Sequence, residues 1–335
     1  MPPSRPSVSV RRTTVIGMVH PERLAARAER VSAGLDELDQ WLRDQIRGGI
    51  AGLGQGGYAP LERVAARMVD AQAPGVAAML RSLPGEYVGE GWPGQLLEQL
   101  GALHLLIEAH RGLDGLPPDL AATVRSRVGY PVRKAEVLAG PDLLDHWYAI
   151  GSVDTVELRL ETRRVWLFGA VSRRWAVVLS FAPIGGFLDD SVAAGQHLHA
   201  QLHFYAGTGQ YRALVGEQLD VVHSPVLPPA ETYTDVGDRF ATLLAGDPWA
   251  TRMPAVLRAA PVPPVRTGER WRLREDAGHC VDLVDLDAEP WPLLARSLGE
   301  PVTLFGEWGP RGFHPLSLLQ DDQNSITGDF RGRAA

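Results

Sequence analysis

Three histidines fall within seven residues and could bring metal ligands close together. They are His197, His199 and His203, in the stretch GQHLHAQLHFY over residues 195–205. Imidazole nitrogen binds zinc, and two histidines at positions i and i+2 of a strand can hold one ion. A third ligand would have to come from elsewhere, such as Asp189, Asp190 or His223. A metal-dependent enzyme built on His197, His199 and Asp190 is therefore one hypothesis for function.

The elements around these histidines decide whether they can meet at one ion. Residues 197–205 alternate polar and apolar side chains, which is typical of a strand with one buried face. On such a strand His203 lies roughly 13 Å from His199, at about 3.3 Å per residue. Zn–N bonds are only about 2 Å long, so His203 cannot join the same site. We therefore predict a solvent-exposed histidine face, with no metal and no cofactor.

Other candidate motifs lack the context that their chemistry needs. Gly52, Gly54 and Gly57 match G-x-G-x-x-G, but a helix precedes them where a dinucleotide fingerprint needs a strand. Cys280 and His279 are neighbours in a predicted strand, so they face opposite sides and cannot form a thiolate–imidazole pair. The sequence has no G-x-S-x-G and no H-E-x-x-H. We predict no catalytic residues, and hence a protein that is not an enzyme.

Before residue 140 the apolar residues follow a helical period. The first and longest such face consists of Leu24, Ala28, Val31, Leu35, Leu38, Leu42, Ile46 and Ile50. Further helices are predicted at 61–73, 76–83, 92–113, 117–128 and 131–139. His104 and Glu108 lie one turn apart in the helix predicted at 92–113. Because no third ligand follows at helical spacing, they are predicted to form an exposed polar stripe.

After residue 140 the period changes from 3.6 to 2, which indicates strands. Strands are predicted at 156–160, within 165–183 on both sides of a turn at Ser172–Arg174, and at 197–205, 211–215, 270–275 and 279–284. A helix is expected near 235–245, and residues 302–319 read as a closing hairpin that turns at Gly309–Gly312. The fold class predicted is α+β, with an N-terminal helical part packed against a C-terminal, antiparallel, β-rich part.

Composition divides the chain into four predicted segments. Residues 1–21 hold Pro, Ser and Arg without apolar periodicity and are predicted to be a disordered arm. A helical domain follows over 22–140, a β-rich mixed domain over 141–319 and a frayed tail over 320–335. The single cysteine excludes an intramolecular disulfide, and no apolar run is long enough to cross a bilayer. We expect a cytoplasmic protein that does not bind membranes.

Charge argues against a nucleic-acid partner. The net charge is −7, and residues 141–335 carry 17 basic and 25 acidic side chains, against 16 and 15 in residues 1–140. An acidic surface repels a phosphate backbone. The alternative hypothesis, nucleic-acid binding as an accessory protein, would depend on the arm around Arg11 and Arg12. We predict that the partner is another protein.

Several stretches together resemble one known family. They are LDELDQWLRDQIRGGIAGL (35–53), ARMVDAQAPGVAAMLRSL (66–83), the run from WPGQLLEQL to VRKAEVLAG (92–140), RRVWLFGAVSRRWAVVLSF (163–181), YRALVGEQ (211–218) and PVTLFGEW (301–308). In this order they are similar to the part of bacterial SWIM zinc-finger family proteins that follows the finger. The finger itself, C-x-C with a later C-x-H, is absent from this sequence, so its zinc site is not expected here.

The resemblance implies a context for function. Bacterial SWIM proteins are often encoded beside MoxR-type AAA+ ATPases and von Willebrand factor A proteins. The implied role is that of a non-enzymatic accessory protein or adaptor whose partner is such an ATPase or von Willebrand factor A protein.

Overall fold

The computed structural model describes residues 21–50, 53, 59–83, 91–157, 160–219, 226–266, 268–320 and 325–326. The predicted arm before Pro21 and the end of the predicted tail after Ile326 lie outside the described residues. The chain divides into two compact units, Met1–Arg111 and Gly112–Ala335. Strands begin only at Asp142, close to the predicted change at residues 140 and 141.

The helices predicted before residue 140 are present, with ends that differ by a few residues. They are α1 (Pro21–Gly48), α2 (Ala59–Asp70), α3 (Pro74–Ser82), α4 (Trp92–Arg111), α5 (Pro118–Val128) and α6 (Lys134–Leu138). Two more follow in the second half, α7 (Tyr233–Gly246) and α8 (Trp291–Ser297). Within the described residues, no helix combines the length and the apolar composition that crossing a bilayer requires.

In the first unit, α1 packs against α2 and α4, and α2 packs against α3. The predicted apolar face of α1 is buried at Val31, Leu35 and Leu38. The approach of α1 to the end of α2 is close, because a Cβ at Gly34 would lie 2.3 Å from the Cβ of Ala71. Glycine at this position therefore lets the two backbones meet.

The strands confirm the predicted β-rich part and the α+β fold class. They are β1 (Asp142–Glu157), β2 (Leu160–Gly169), β3 (Trp175–Pro183), β4 (His197–Phe204), β5 (Arg212–Leu219), β6 (Met253–Val262), β7 (Arg272–Arg274), β8 (Cys280–Asp282), β9 (Val302–Gly309), β10 (Gly312–Gln320) and β11 (Ser325–Ile326). The predicted turns between β2 and β3 and between β9 and β10 are both confirmed.

Strands β1 to β5 close into a barrel in the order β1-β2-β3-β5-β4. All neighbouring strands are antiparallel except β3 and β5, which run parallel. One side chain in two points inward, and the interior consists of Trp147, Ala149, Val165, Leu167, Ala176, Val192, Leu198, Ala200, Leu202 and Ala213. The many alanines leave room for the large indole of Trp147, which is the usual way that a small barrel fills its interior.

The remaining strands form a second sheet in the order β11-β10-β9-β6-β7-β8. Helices α7 and α8 contribute to the apolar core on this sheet, with Val236 and Leu293 packed in one cluster with Leu257 and Phe313. At the end of the chain, Ser325 and Ile326 pair with β10, so the pairing extends into the segment that was predicted to fray.

Strand β6 was not predicted, although it lies in the middle of this sheet between β9 and β7. It contains Pro254 and Pro261, and proline normally argues against a central strand. Strand β9 pairs with residues 253–259 of β6, β7 pairs with residues 260–262, and Glu231 forms an isolated bridge with Leu257. The carbonyl of Pro254 accepts a bond from Arg239 and that of Val256 accepts one from the Glu231 N–H. Both carbonyls thus face away from β9, as does the nitrogen of Pro254, so no ladder bond is lost there.

The barrel and the second sheet share a buried apolar layer. It contains Trp166 and Val177 from the outside of the barrel and Val256 and Phe305 from the second sheet. A Cβ at Gly151 would lie 2.7 Å from Phe305, so the ring rests directly on the β1 backbone. The outer face of β2 and β3 is therefore partly covered by the protein itself.

Candidate functional site

The histidine strand forms as predicted, but its polar face is not fully exposed. In the register of β4 with β1, His199 lies opposite His146 and His197 opposite Tyr148. The facing rings stack, with centroid distances of 4.2 Å and 4.6 Å respectively. His197 and His199 are half-buried as a result, because side chains of β1 cover them. Burial lowers the pKa of His197 and so favours its neutral form.

The candidate metal ligands do not converge. Asp190 is exposed in the loop after β3, and His203 is buried with Nδ1 3.2 Å from the Gly140 carbonyl oxygen. In the described part of the chain, His197 and His199 have no third ligand close enough to share an ion with them. His223 lies outside the described residues, as do the glycines of the G-x-G-x-x-G match and the arm with Arg11 and Arg12.

A different group of possible ligands comes together in the helical unit. Asp39 on α1 meets His104 and Glu108 on α4, with one ligand atom of each within 4.8 Å of the others. The sequence paired His104 with Glu108 but offered no third ligand at helical spacing. The third residue comes from another helix, and that proximity depends on the packing of α1 against α4.

The charges around Asp39 do not suit a metal ion. Its carboxylate is buried, accepts bonds from Arg43 and Arg111, and lies 3.0 Å from His104 Nδ1. Arg111 also pairs with Glu108, so two guanidiniums already balance these carboxylates. Burial opposes ionisation of Asp39, but the two arginines outweigh it and lower the pKa of that carboxyl. The group therefore fits an ion-pair network that joins α1 to α4.

A second buried charge cluster lies between the barrel and the second sheet. Glu307 on β9 is 3% exposed and accepts bonds from Arg164 and Trp166 on β2 and from Arg252. His314 Nδ1 lies 3.9 Å from the same carboxylate. Burial would raise the pKa of Glu307, but His314, the arginines and Trp166 hold it far below its ordinary value. Because Glu307 on β9 is bonded to Arg164 and Trp166 on β2, it links the second sheet to the barrel. Its oxygens already accept these bonds and the one from Arg252, so the carboxylate is not free to act as a base.

Three arginines at one end of the barrel lie over aromatic rings. The Cζ of Arg174 is 4.1 Å from the ring centroid of Phe204, and that of Arg212 is 4.1 Å from Tyr205. The Cζ of Arg173 is 5.0 Å from the ring centroid of Phe168. We call Arg173, Arg174 and Arg212 the basic end; it consists of the β2–β3 turn and the start of β5.

The opposite end of the same hairpin exposes apolar side chains. Leu160, Phe181, Ile184 and Phe187 are 42%, 51%, 56% and 101% exposed, and we call them the apolar end. The loop that carries Ile184 and Phe187 is tied to the barrel, because the Gly185 N–H donates to Glu161. Leu160 lies opposite Pro183 in the β2–β3 ladder, which brings it next to the start of that loop.

A small cleft in the second unit is lined by Asp285, Leu286, Asp287, Ala288, Pro290, Leu293, His314 and Pro315. Its volume of about 20 Å³ is room for roughly one water molecule. It is too small to enclose a metabolite.

Comparison with known proteins gives one match. Residues 26–128 match the family model described as the SWIM-associated four-helix bundle domain. No zinc-finger family model matches. No curated protein matches the chain, and no solved structure does. The match spans α1 to α5 and stops before the barrel. Residues 26–128 are therefore a SWIM-associated four-helix bundle domain, as the resemblance predicted for this part of the chain.

Proposed function

We propose that this protein is a non-enzymatic accessory protein that binds another protein through the apolar end of its barrel. The observation that carries the proposal is the exposure of Phe181, Ile184 and Phe187 together at the open end of the β2–β3 hairpin, at the end of β3 and in the loop that follows it. Single apolar side chains on a surface are ordinary, but several adjacent ones are typical of protein-binding sites. Aromatic side chains in particular contribute most of the binding energy at such sites.

The packing of the barrel supports a protein partner over a nucleic acid. Five-stranded Greek-key barrels of the OB-fold type bind oligonucleotides on strands 2 and 3 and on adjoining loops. Here Trp166 and Val177 on that face are buried against the second sheet, and Arg164 is bonded to Glu307. The loop between β4 and β5 is held as well, since the Thr208 N–H donates to Thr123. The surface on which such barrels usually bind single-stranded nucleic acid is thus occupied by the protein itself.

The family context suggests the class of partner. In the bacterial SWIM context described above, the neighbours are MoxR-type AAA+ ATPases and von Willebrand factor A proteins. We take one of these as the partner and the protein as its adaptor in the cytoplasm. The alternative of a metal-dependent enzyme on His197 and His199 has less support, because these side chains stack on β1 and lack a third ligand among the described residues.

The test is direct binding with matched surface variants. A purified ATPase and von Willebrand factor A protein from the same genome would be titrated against the wild type and against an Ile184→Ser, Phe187→Ser double variant. Val265→Ser is the control, because Val265 is 86% exposed outside the apolar end. We expect binding by the wild type and the control, and a loss of about tenfold or more in the double variant. Equal binding by all three proteins would contradict the proposal, as would no binding at all.

A gel-shift experiment at near-physiological salt addresses the other class of partner. We expect no salt-resistant complex with DNA or RNA, because the β-rich half is acidic. A tight complex with nucleic acid and none with protein would overturn the proposal.

A further inference from the structure

The arginines of the basic end are held in place by a rigid aromatic base. The ring of Phe204, under Arg174, has its centroid 6.3 Å from that of Trp147. The indole N–H of Trp147 in turn donates to the Ala200 carbonyl oxygen. Phe168, under Arg173, lies 4.9 Å from Trp175. A guanidinium over a ring keeps its N–H groups at the edge of its plane, where they can still donate to an anion.

These three guanidiniums have no acidic partner in the described part of the chain. None of them lies within 4.0 Å of a carboxylate, whereas Arg163 and Arg239 on the same unit are both in ion pairs. The carboxylate under the β2–β3 turn, Asp145, does not serve this purpose. Its oxygens accept the backbone N–H groups of His146, Val171 and Ser172 and are buried. The basic end therefore carries three guanidiniums that form no ion pair with a described carboxylate, on a chain whose net charge is −7.

We propose that the basic end binds a carboxylate-rich peptide segment of a partner protein. This deepens the proposed function and rests on it, since it names the chemistry of a second contact. Arginine forms paired N–H bonds with carboxylates, and prior stacking on a ring reduces the entropy lost on binding. Three arginines at one end of the barrel match a segment with several Asp or Glu residues.

The rings themselves argue for a peptide over a single-stranded nucleic acid. Nucleotide bases need open aromatic faces for stacking. Phe168 and Tyr205 are buried, and each already has a guanidinium over its face. Beyond the basic end, the acidic surplus of residues 141–335 would repel a long phosphate backbone, whereas a short acidic segment need contact only the basic end.

The test is a titration with a labelled peptide of alternating Asp and Gly, beside its Asn counterpart and oligothymidylate. We expect the full-length wild type to bind the Asp peptide in a salt-dependent way and not the Asn peptide. The Arg174→Gln, Arg212→Gln double variant should bind it about tenfold more weakly or worse. The control is Arg258→Gln, Arg272→Gln, which removes the same charge from two exposed positions on β6 and β7.

A further variant protects the test against loss of folding. Arg173 has φ of +57°, a conformation that glycine adopts without strain, so Arg173→Gly removes a charge at little cost to the fold. This variant should also bind the Asp peptide more weakly than the wild type does. Equal affinity of the wild type and both basic-end variants would overturn the proposal. So would preferential binding of oligothymidylate that these variants abolish.

The two proposals fail separately. The Ile184→Ser, Phe187→Ser variant should bind the Asp peptide as the wild type does. If the peptide binds at the basic end but the partner does not need the apolar end, the inference stands and the proposed contact is wrong.

Discussion

At the basic end of the barrel three guanidiniums lie over aromatic rings, whereas at the apolar end Ile184 and Phe187 are open to solvent. The two ends lie at opposite ends of the β2–β3 hairpin, about 30 Å apart along its ten-residue strand β2, and the basic end also includes Arg212 at the start of β5. The hairpin between them is occupied, because its outer face packs on the second sheet. The middle of the barrel thus packs within the protein, and its two ends are where we propose contacts with other molecules.

The largest expected loss of stability comes from a substitution at Glu307, where the middle of the barrel packs on the second sheet. Glu307→Gln removes the charge that Arg164 and Arg252 face in a buried setting, and should lower the free energy of unfolding by about 3–5 kcal/mol. Denaturant unfolding, with exposed Glu300→Gln as the control, measures this. If Glu307→Gln proves no less stable than the control, the cluster does not hold the two sheets together.

Sequence periodicity was sufficient where a pattern is local. The middle of the α1 apolar face, the alternation of β4 and the hairpin of β9 and β10 all follow from short-range spacing, and the structure confirms them. The predicted α1 face does not extend to its ends, because Leu24 and Ile46 are 57% and 50% exposed. Strand β6 was missed because its prolines oppose strand structure locally. Pro254 is tolerated because its nitrogen faces away from β9, which only the pairing of β6 with β9 shows.

The side-chain clusters of the candidate sites could not be predicted from the sequence, for a different reason. Asp39 meets His104 only through packing of α1 on α4, and Arg212 meets Tyr205 only once β4 and β5 pair. A single sequence gives each residue but not these neighbours. The apolar end could have drawn attention, since FAPIGGF places two phenylalanines around a glycine turn at residues 181–187.

At the basic end, Asp145→Asn should have the next largest effect. An amide nitrogen would face one of the three N–H groups that the carboxylate now accepts, which should cost about 1–3 kcal/mol. Because the β2–β3 turn carries Arg173 and Arg174, binding of the Asp peptide should weaken too, while partner binding at the apolar end is retained. Calorimetric unfolding and the peptide titration on one sample measure both, and a variant as stable as the wild type would remove Asp145 from this role.

The same carboxylate predicts a pH dependence. Burial opposes ionisation of Asp145, but bonds from Ser172, Val171 and His146 outweigh it and lower the pKa in the folded protein. Its contribution is therefore present above the unfolded pKa of about 4 and is lost as pH falls through the folded value. The stability difference between wild type and Asp145→Asn should shrink below about pH 4. A difference that grows in acid would contradict this direction.

His197 on β4 should also make the protein less stable as pH falls, but by a smaller amount than Asp145 does. Burial against Tyr148 lowers the pKa of His197, so its neutral form contributes stability above the unfolded pKa of about 6.5 that is lost as pH falls. His197→Phe should reduce the loss of stability between about pH 7 and 5 by less than about 1 kcal/mol. Thermal melting of both proteins across this range is the measurement, with exposed His279→Phe as the control. An unchanged pH dependence would show that His197 is not the group responsible.

The apolar end should have the smallest effect on stability and the largest on binding. Phe187 is fully exposed, so a polar replacement should change the free energy of unfolding by no more than about 0.5 kcal/mol. The most direct test of a protein-binding role is a photo-crosslinking amino acid placed at residue 187 or, as the control, at residue 265, in the native host. We predict a defined covalent adduct with an ATPase or a von Willebrand factor A protein from residue 187 and none from residue 265. Adducts that are the same at both positions, or none at residue 187, would contradict the account.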